Sequence, residues 1–145
     1  MRALVTGATG FVGRRLLRLL DAPTVLTRNP QKAADVIGNL SGRILAWDPL
    51  KGPPPPGALD GIDTVFHLAG ESVAEGRWTV AQKRRIEESR TLGTRHLVLG
   101  IERAASPPRV LVSASAVGFY GNRGDEELTE RSPPADDFLA RVCTA

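Results

Sequence analysis

Three glycines spaced three residues apart lie close to the start of the chain, in a setting that suits phosphate binding. Gly7, Gly10 and Gly13 follow the short apolar run 3–5 and precede a stretch whose apolar residues recur at helical spacing. Gly7 permits a tight turn, Gly10 allows the backbone to approach a pyrophosphate, and Gly13 allows the helix to pack closely. The N–H groups that begin the helix then face the anion. The alternative is a glycine-rich turn without a ligand, and the strand before the motif and the helix after it favour the phosphate site.

A pyrophosphate site of this kind is typical of proteins that bind NAD(H) or NADP(H), and the residue after the second predicted strand, 24–27, indicates which of the two is preferred. Proteins that bind NAD place an acidic residue there to hold the ribose 2′-hydroxyl, whereas this chain has Arg28 after the strand 24–27. An arginine cannot accept a hydrogen bond from a hydroxyl, but it pairs with a 2′-phosphate and stacks on adenine. A solvated arginine at a strand end is the alternative. The position predicts NADP(H), with NAD(H) the less favoured cofactor, and Thr27 and Arg28 as contacts.

Alternating strands and helices must position these residues. Short apolar or β-branched runs predict strands at 3–5, 24–27, 43–47 and 110–113, and another within 63–70 that leads into a glycine turn. Helical spacing predicts helices at 11–20, from Pro30 to about 37, from Thr79 to about 103, and from about Asp136 onward. Thr79 and Gln82 form a capping-box pattern, in which each side chain bonds the other residue's backbone N–H. Strands and helices that alternate in this way predict an α/β Rossmann-type fold, a doubly wound parallel sheet of about five strands with helices on both faces.

Length and composition limit the other possibilities. The chain has 145 residues, which suits one domain, and a net charge of +3 that is scattered rather than clustered. A nucleic-acid surface shows basic residues gathered on one face, so we expect no nucleic-acid partner. No apolar run reaches the length of a signal peptide or membrane span, and the single Cys143 suits a reducing compartment. We expect a cytoplasmic protein without a membrane partner, and no metal-ligand cluster is evident. The prolines at 53–56 predict a stiff surface loop, more typical of a spacer than of a polyproline docking site.

The glycine spacing also resembles that of the short-chain dehydrogenase/reductase superfamily, and the sequence Thr-Gly-Ala-Thr-Gly-Phe-Val-Gly is similar to its extended branch. The motifs downstream resemble the atypical NAD(P)-dependent epimerase/dehydratase-type oxidoreductases sometimes labelled cell-division-inhibitor homologues. These motifs are 67–72, 77–79, 89–90, 93–95, 113–121, 128–130, 132–134 and 136–140.

The resemblance implies roles for several residues. The cofactor-binding set becomes Gly7, Thr9, Gly10, Phe11, Val12, Gly13, Thr27, Arg28, Leu68, Ala69 and Arg90. Leu68 and Ala69 would line the adenosine and pyrophosphate groove. Arg90 stands where extended members often carry an asparagine and would face the cofactor, although a surface arginine on a charged helix is an equal alternative.

Catalysis in the superfamily depends on a serine or threonine and on a tyrosine and lysine four residues apart. Ser115 matches the serine, which polarises the reacting carbonyl, and a strand-end serine bonded to the backbone is the alternative. The Tyr–Lys pair is missing, because Leu139 and Cys143 occupy the two positions. Tyr120 belongs to a turn, and Cys143 suits a small buried side chain better than a reactive thiol.

Two functions therefore remain open. The first is an oxidoreductase- or epimerase-like NADP(H)-binding domain with an unknown small-molecule substrate, and the second is a non-catalytic NADP(H)-binding module that acts as a sensor or scaffold. Members of the superfamily are about twice as long as this chain. Residues 1–145 therefore resemble an N-terminal NADP(H)-binding half that lacks the substrate lobe. The strand at 110–113 would then be left at a sheet edge, and we expect either a truncated product or an association, such as a homo-oligomer, that covers the edge.

Overall fold

The computed structural model describes residues 1–145, which divide into two compact units, Met1–Ser113 and Ala114–Ala145. In the first unit, five parallel strands form one sheet: β1 (Ala3–Thr6), β2 (Thr24–Thr27), β3 (Arg43–Ala46), β4 (Thr64–His67) and β5 (Val110–Ser113). Their order across the sheet is β3-β2-β1-β4-β5. Because β1 is central and the chain reverses direction across the sheet after β3, the predicted doubly wound α/β fold is confirmed.

Helices cover the two faces of the sheet. They are α1 (Phe11–Leu17), α2 (Pro30–Ile37) and α3 (Val80–Glu102). Successive side chains of a strand point to opposite faces, so Leu4 and Val5 of β1 lie in two separate cores. Leu4 shares its core with Leu97 of α3, and Val5 shares its core with Leu17 of α1 and Ile37 of α2. Both faces of β1 are therefore buried, as its uninterrupted apolar run requires.

Strand β5 differs from the four other strands because all four of its residues are exposed. Val110, Leu111 and Val112 have 48%, 39% and 44% of their surface accessible. The strand pairs only with β4, in the register Val65↔Leu111, and so forms one edge of the sheet. This edge carries apolar side chains that no helix of the first unit covers.

The second unit contains a short 3-10 helix, Val117–Phe119, and α4 (Phe138–Thr144). The two pack together where Gly118 faces Leu139: a Cβ at Gly118 would lie 3.2 Å from the Cβ of Leu139. Asp137 caps α4 by accepting a hydrogen bond of 2.9 Å from the N–H of Ala140. None of the helices in the chain combines the length and the apolar character needed to cross a bilayer.

Two details of the sequence-based expectations were wrong. Thr79 does cap α3, since its hydroxyl accepts from the N–H of Gln82 at 3.2 Å, but the Gln82 side chain does not reach back. The Gln82 amide donates instead to the carbonyl of Ser72 at 3.3 Å, because the N–H of Thr79 is already bonded to Arg77. The first helix also ends at Leu17, three residues before the predicted end, since 18–20 continue only as turns.

Candidate functional site

The turn between β1 and α1 is built so tightly that its first glycine cannot be replaced. Gly7 has a φ of +69°, a left-handed conformation that side chains disfavour. A Cβ on Gly7 would also lie 2.6 Å from the carbonyl carbon and oxygen of Leu68, at the end of β4. The turn therefore lies directly against the segment that follows β4, and the two together form one wall of a cleft.

The other two glycines shape the start of α1. Gly10 is the N-cap residue of α1, and with no side chain it cannot cap the helix. The N–H groups of Phe11 and Val12 consequently have no acceptor within the chain, and hydrogen bonding in the helix begins with Arg14 N–H to Gly10 O at 3.0 Å. Gly13 is buried, and a Cβ there would lie 2.7 Å from the Cα of Ala8. The turn thus presents free backbone donors, as a phosphate-binding turn must.

A cleft of about 220 Å³ runs along the carboxyl ends of β1, β2, β3 and β4. It is lined by Gly7, Ala8, Thr9, Gly10, Leu26, Thr27, Arg28, Trp47, Pro49, Leu68, Ala69 and Gly70. Seven of the predicted cofactor residues, namely Gly7, Thr9, Gly10, Thr27, Arg28, Leu68 and Ala69, therefore lie on one surface. This is the place where open parallel sheets bind ligands, next to the reversal in strand order.

Arg28 occupies the end of the cleft beside β2 and β3. Its side chain is exposed, makes no ion pair, and is the only ionisable group among the lining residues. Thr27 is held by its own turn, since its hydroxyl accepts from the N–H of Asn29 at 3.3 Å. Nothing acidic faces Arg28 from the lining residues, so this end of the cleft is positively charged.

Trp47 and Pro49 also line the cleft, although no motif in the sequence identified either of them as a site residue. The Trp47 indole is buried and donates to the carbonyl of Gly52 at 2.9 Å. Pro49 is held by His96 of α3, whose Nδ1 lies 2.6 Å from the Pro49 carbonyl oxygen and therefore carries the proton. The preceding residue, Asp48, accepts from the N–H of Leu50 at 3.1 Å and thus begins a turn. The position of Trp47 directly after β3, beside β2, was the available clue.

Beneath the cleft, a buried histidine joins β4 to β1. His67 Nδ1 lies 2.8 Å from Thr6 Oγ1, and the same oxygen accepts from the N–H of Ala69 at 3.2 Å. His67 is 3% exposed, and its Nε2 has no partner. Burial lowers the pKa of His67 to about 4, so the ring is neutral near pH 7. Thr6 Oγ1 thus bonds both groups: the buried His67 ring, and the N–H of Ala69, whose backbone it holds at the cleft.

Arg90 lies behind the cleft wall rather than among the lining residues. Its Nη1 donates to the carbonyl oxygens of Glu71 at 3.0 Å and Ile86 at 3.2 Å. The guanidinium lies against Gly70, where a Cβ would be 3.1 Å from Cζ.

Three further predicted contacts also lie outside the lining. Phe11 and Val12 are 81% and 60% exposed, and Gly13 packs behind the turn. The N–H groups of Phe11 and Val12 have no acceptor within the chain, so their backbone is available to a ligand.

The predicted catalytic residue, Ser115, belongs to the second unit. It is exposed and lines an open surface cavity of about 490 Å³ together with Tyr120 and Cys143. Cys143 lies on α4 four residues after Leu139, so neither member of a Tyr–Lys pair is present on this helix. The cavity contains a serine hydroxyl, a phenol and a thiol, but no lysine.

Comparison with known proteins agrees with this geometry. The profile of the NAD dependent epimerase/dehydratase family matches residues 3–138. The chain is 36% identical to the chloroplastic epimerase family protein SDR39U1 homolog of Arabidopsis thaliana, over 99% of this chain and 42% of that protein. The crystal structure of the human epimerase family protein SDR39U1 (isoform 2), solved with NADPH, superposes with a TM-score of 0.78 at 30% identity. It covers 99% of this chain and 46% of that one.

A second solved structure extends the comparison to NAD. MoeE5 in complex with UDP-glucuronic acid and NAD superposes with a TM-score of 0.78 at 25% identity, over 99% of this chain and 46% of that one. The chain spans less than half the length of these relatives. The family profile covers residues 3–138, which is nearly the whole chain, and the chain therefore belongs to the NAD-dependent epimerase/dehydratase family.

Proposed function

We propose that the unit Met1–Ser113 binds NADP(H), in preference to NAD(H), as the cofactor-binding part of an oxidoreductase- or epimerase-like domain. The observation that carries the proposal is the cleft whose only ionisable lining residue is Arg28. The substrate is an unidentified small molecule.

The residues of the cleft suit a dinucleotide with a third phosphate. Gly7 and Gly10 leave room for a pyrophosphate, and the free N–H groups of Phe11 and Val12 are donors for its oxygens. No lining carboxylate is available to accept from a ribose 2′-hydroxyl, whereas the unpaired Arg28 guanidinium can bond a 2′-phosphate at two points. The NADPH bound by the human relative supports this preference, while MoeE5, which has a similar fold, binds NAD.

Ser115 is the residue of this chain that we propose to act on a substrate. A bound nicotinamide would supply hydride transfer, and the Ser115 hydroxyl would donate a hydrogen bond to the reacting carbonyl oxygen. Ser115 shares its cavity with Tyr120 and Cys143, which are the other groups there able to hold a proton.

A second candidate, a non-catalytic NADP(H)-binding module, is favoured by α4. That helix carries Leu139 and Cys143 where the superfamily places tyrosine and lysine, so the usual acid–base pair is absent from it. Oxidation of NADPH that depends on an added carbonyl substrate, and that falls in Ser115→Ala, would identify an enzyme. Cofactor binding without turnover across a broad carbonyl panel would favour the module.

Titration with NADPH and NADH by calorimetry tests the proposed cofactor. We expect NADPH to bind the wild-type chain more tightly. Arg28→Asp should lower NADPH affinity at least tenfold without a comparable loss of NADH affinity, because an aspartate there can accept from the ribose 2′-hydroxyl. Arg18→Asp is the matched control, because Arg18 is exposed, makes no ion pair and lies outside the cleft. Equal losses for both nucleotides, or for both variants, would refute the assignment of Arg28.

We also propose that a second copy of the chain covers β5, and that the protein is cytoplasmic. The exposed Val110, Leu111 and Val112 on an edge strand support the association. The single Cys143 supports a reducing compartment. Light scattering after size exclusion should give a dimer that Val112→Lys converts to a monomer, and a wild-type monomer would contradict the association. Cell fractionation tests the location.

A further inference from the structure

Helix α3 fastens the segment that follows β4 with three side chains. The Gln82 amide donates to the carbonyl of Ser72 at 3.3 Å. The hydroxyl of Ser89 accepts from the N–H of Glu71 at 2.9 Å, and Arg90 Nη1 donates to the carbonyl of Glu71 at 3.0 Å. Both backbone groups of Glu71 are therefore bonded to neighbouring residues of one helix, which fixes the path of the chain at this residue.

Gly70 is shaped by the same arginine. A Cβ on Gly70 would lie 3.1 Å from Cζ and from Nη2 of Arg90, and 3.3 Å from Nη1. Gly70 has no left-handed φ, so its backbone conformation does not demand glycine. The space is instead occupied by the guanidinium, whose flat surface can lie directly against a residue without a side chain. Gly70 in turn lines the cleft.

Nη1 of Arg90 forms its hydrogen bonds within the protein. Nη1 has three acceptors within reach, namely the carbonyls of Glu71 and Ile86, at 3.0 Å and 3.2 Å, and the hydroxyl of Ser89 at 3.4 Å. Arg90 is absent from the residues that line the cleft, whereas its neighbours Ala69 and Gly70 are present. A bound dinucleotide would therefore contact the backbone of Ala69 and Gly70, and Arg90 would lie behind that backbone.

We propose that Arg90 is a positioning residue: it affects binding of the dinucleotide by holding the backbone of Gly70 and Glu71 at the cleft. This role requires a glycine at position 70, because a side chain there would clash with the guanidinium. The inference rests on the proposed NADP(H) function, and it differs from the direct contact with the cofactor that the family resemblance implies for Arg90. Direct contact predicts a loss of charge attraction when Arg90 is removed, whereas positioning predicts coupling between Arg90 and Gly70.

A double-mutant cycle with NADPH as the probe separates these two roles. We expect Gly70→Ala and Arg90→Ala each to weaken NADPH binding about tenfold, and the double variant to bind no more weakly than Arg90→Ala alone. This is because the added methyl group clashes only while the guanidinium is present. Losses that multiply, or a clearly reduced salt dependence of binding in Arg90→Ala, would overturn the proposal in favour of direct phosphate contact.

Hydrogen exchange at single amides, measured without nucleotide, tests the positioning independently of cofactor binding. Arg90→Ala should raise the exchange rate of the Glu71 N–H at least tenfold, and should leave that of Leu68, which is bonded to Thr6 O at 3.3 Å, within about twofold. If Arg90→Ala does not fold, Arg90→Lys keeps the charge without the planar fork and should show the same change.

Nucleotide binding and hydrogen exchange test the proposed function and the role of Arg90 separately. A wild-type chain that binds neither NADPH nor NADH would refute the proposed function, while the exchange result would still report on the role of Arg90. Unchanged exchange at Glu71 in a folded Arg90 variant would overturn the positioning role even where NADPH binds.

Discussion

His67 makes the stability of this protein depend on pH in a way that a single substitution should remove. The ring is 3% exposed, its Nδ1 is bonded to Thr6, and its Nε2 has no partner. A charged imidazolium would therefore carry a buried N–H without an acceptor, and burial accordingly lowers the pKa of His67 to about 4. In the unfolded chain a histidine has a pKa of about 6.5. As pH falls below 6.5, His67 is therefore protonated in the unfolded state, whereas in the folded state it stays neutral until about pH 4.

The sign and size of the effect follow from these two pKa values. Stability from the neutral, buried ring is present in full above pH 6.5 and is lost progressively as pH falls towards 4. The whole difference corresponds to about 3 kcal/mol, of which about 2 kcal/mol is already lost at pH 5. With a denaturant dependence of about 2 kcal/mol/M, the urea midpoint should fall by about 1 M between pH 7.5 and pH 5.

Urea unfolding at pH 7.5, 6 and 5, followed by circular dichroism, measures this effect in the wild type and in His67→Asn. Asparagine keeps a polar atom near Thr6 but does not titrate, and every other ionisable group is shared, so the difference between the two chains isolates His67. We expect the variant to lose about 1 M less than the wild type. Midpoints that fall in parallel would refute the reasoning, as would an NMR titration in which the His67 ring protons shift with a midpoint near pH 6.5. That titration needs only the wild type, so it decides the question even if the variant does not fold.

Three further substitutions have defined outcomes in urea unfolding at pH 7.5. Thr79→Ala removes the hydroxyl that caps α3 and should lower the free energy of unfolding by about 1 kcal/mol, while Thr79→Ser should not. Leu97→Ala leaves a cavity in the core that α3 shares with β1 and should cost about 2–5 kcal/mol. Gly100→Ala should destabilise although alanine favours helices by about 1 kcal/mol. The reason is that its Cβ would lie 2.6 Å from Pro54 Cδ, whereas Gly93→Ala, at 3.4 Å from Pro49 Cβ, should cost less.

A different change in the free energy of unfolding would contradict each of these expectations for a specific structural reason. An unchanged midpoint for Thr79→Ala would mean that water replaces the cap. A loss below 1 kcal/mol for Leu97→Ala would mean that the surrounding core collapses onto the missing side chain. A more stable Gly100→Ala would show that the loop around Pro54 retreats from α3 without cost.

Local chemistry made much of the fold predictable from the sequence. Strand β2 and helix α2 lie where the pattern placed them, since three of the four residues of Thr24–Thr27 are β-branched and Pro30 follows the capping residue Asn29. The Asn29 side chain accepts from the N–H of Lys32 at 3.0 Å, as a cap must. The glycine turn was equally clear, because its three glycines have separate steric reasons that follow from spacing alone.

Contacts distant in sequence were harder to foresee. In α3, Gly93 lies against Pro49 and Gly100 lies against Pro54, contacts that helical spacing alone does not predict. Gln82 gave the signal of a reciprocal cap, yet it bonds Ser72, ten residues away. Trp47 joined the cleft because β3 pairs with β2, a neighbour relation that periodicity cannot supply. Contacts between side chains of different helices and strands depend on the order and register of the strands, which a single sequence does not determine.

The position of β1 at the centre of the sheet also bears on how fast the chain can fold. One side of β1 pairs with β2, in the register Leu4↔Thr24, which the chain can reach after a single helix. The other side pairs with β4, in the register Ala3↔Thr64, and waits for a loop about three times longer to close. The hydrogen bond between Thr6 and His67, which spans 61 residues, forms only with that second event. We therefore expect a refolding transition state that contains β1, β2 and α1, with the Thr6–His67 contact and the wall of the cleft formed on the native side of the barrier.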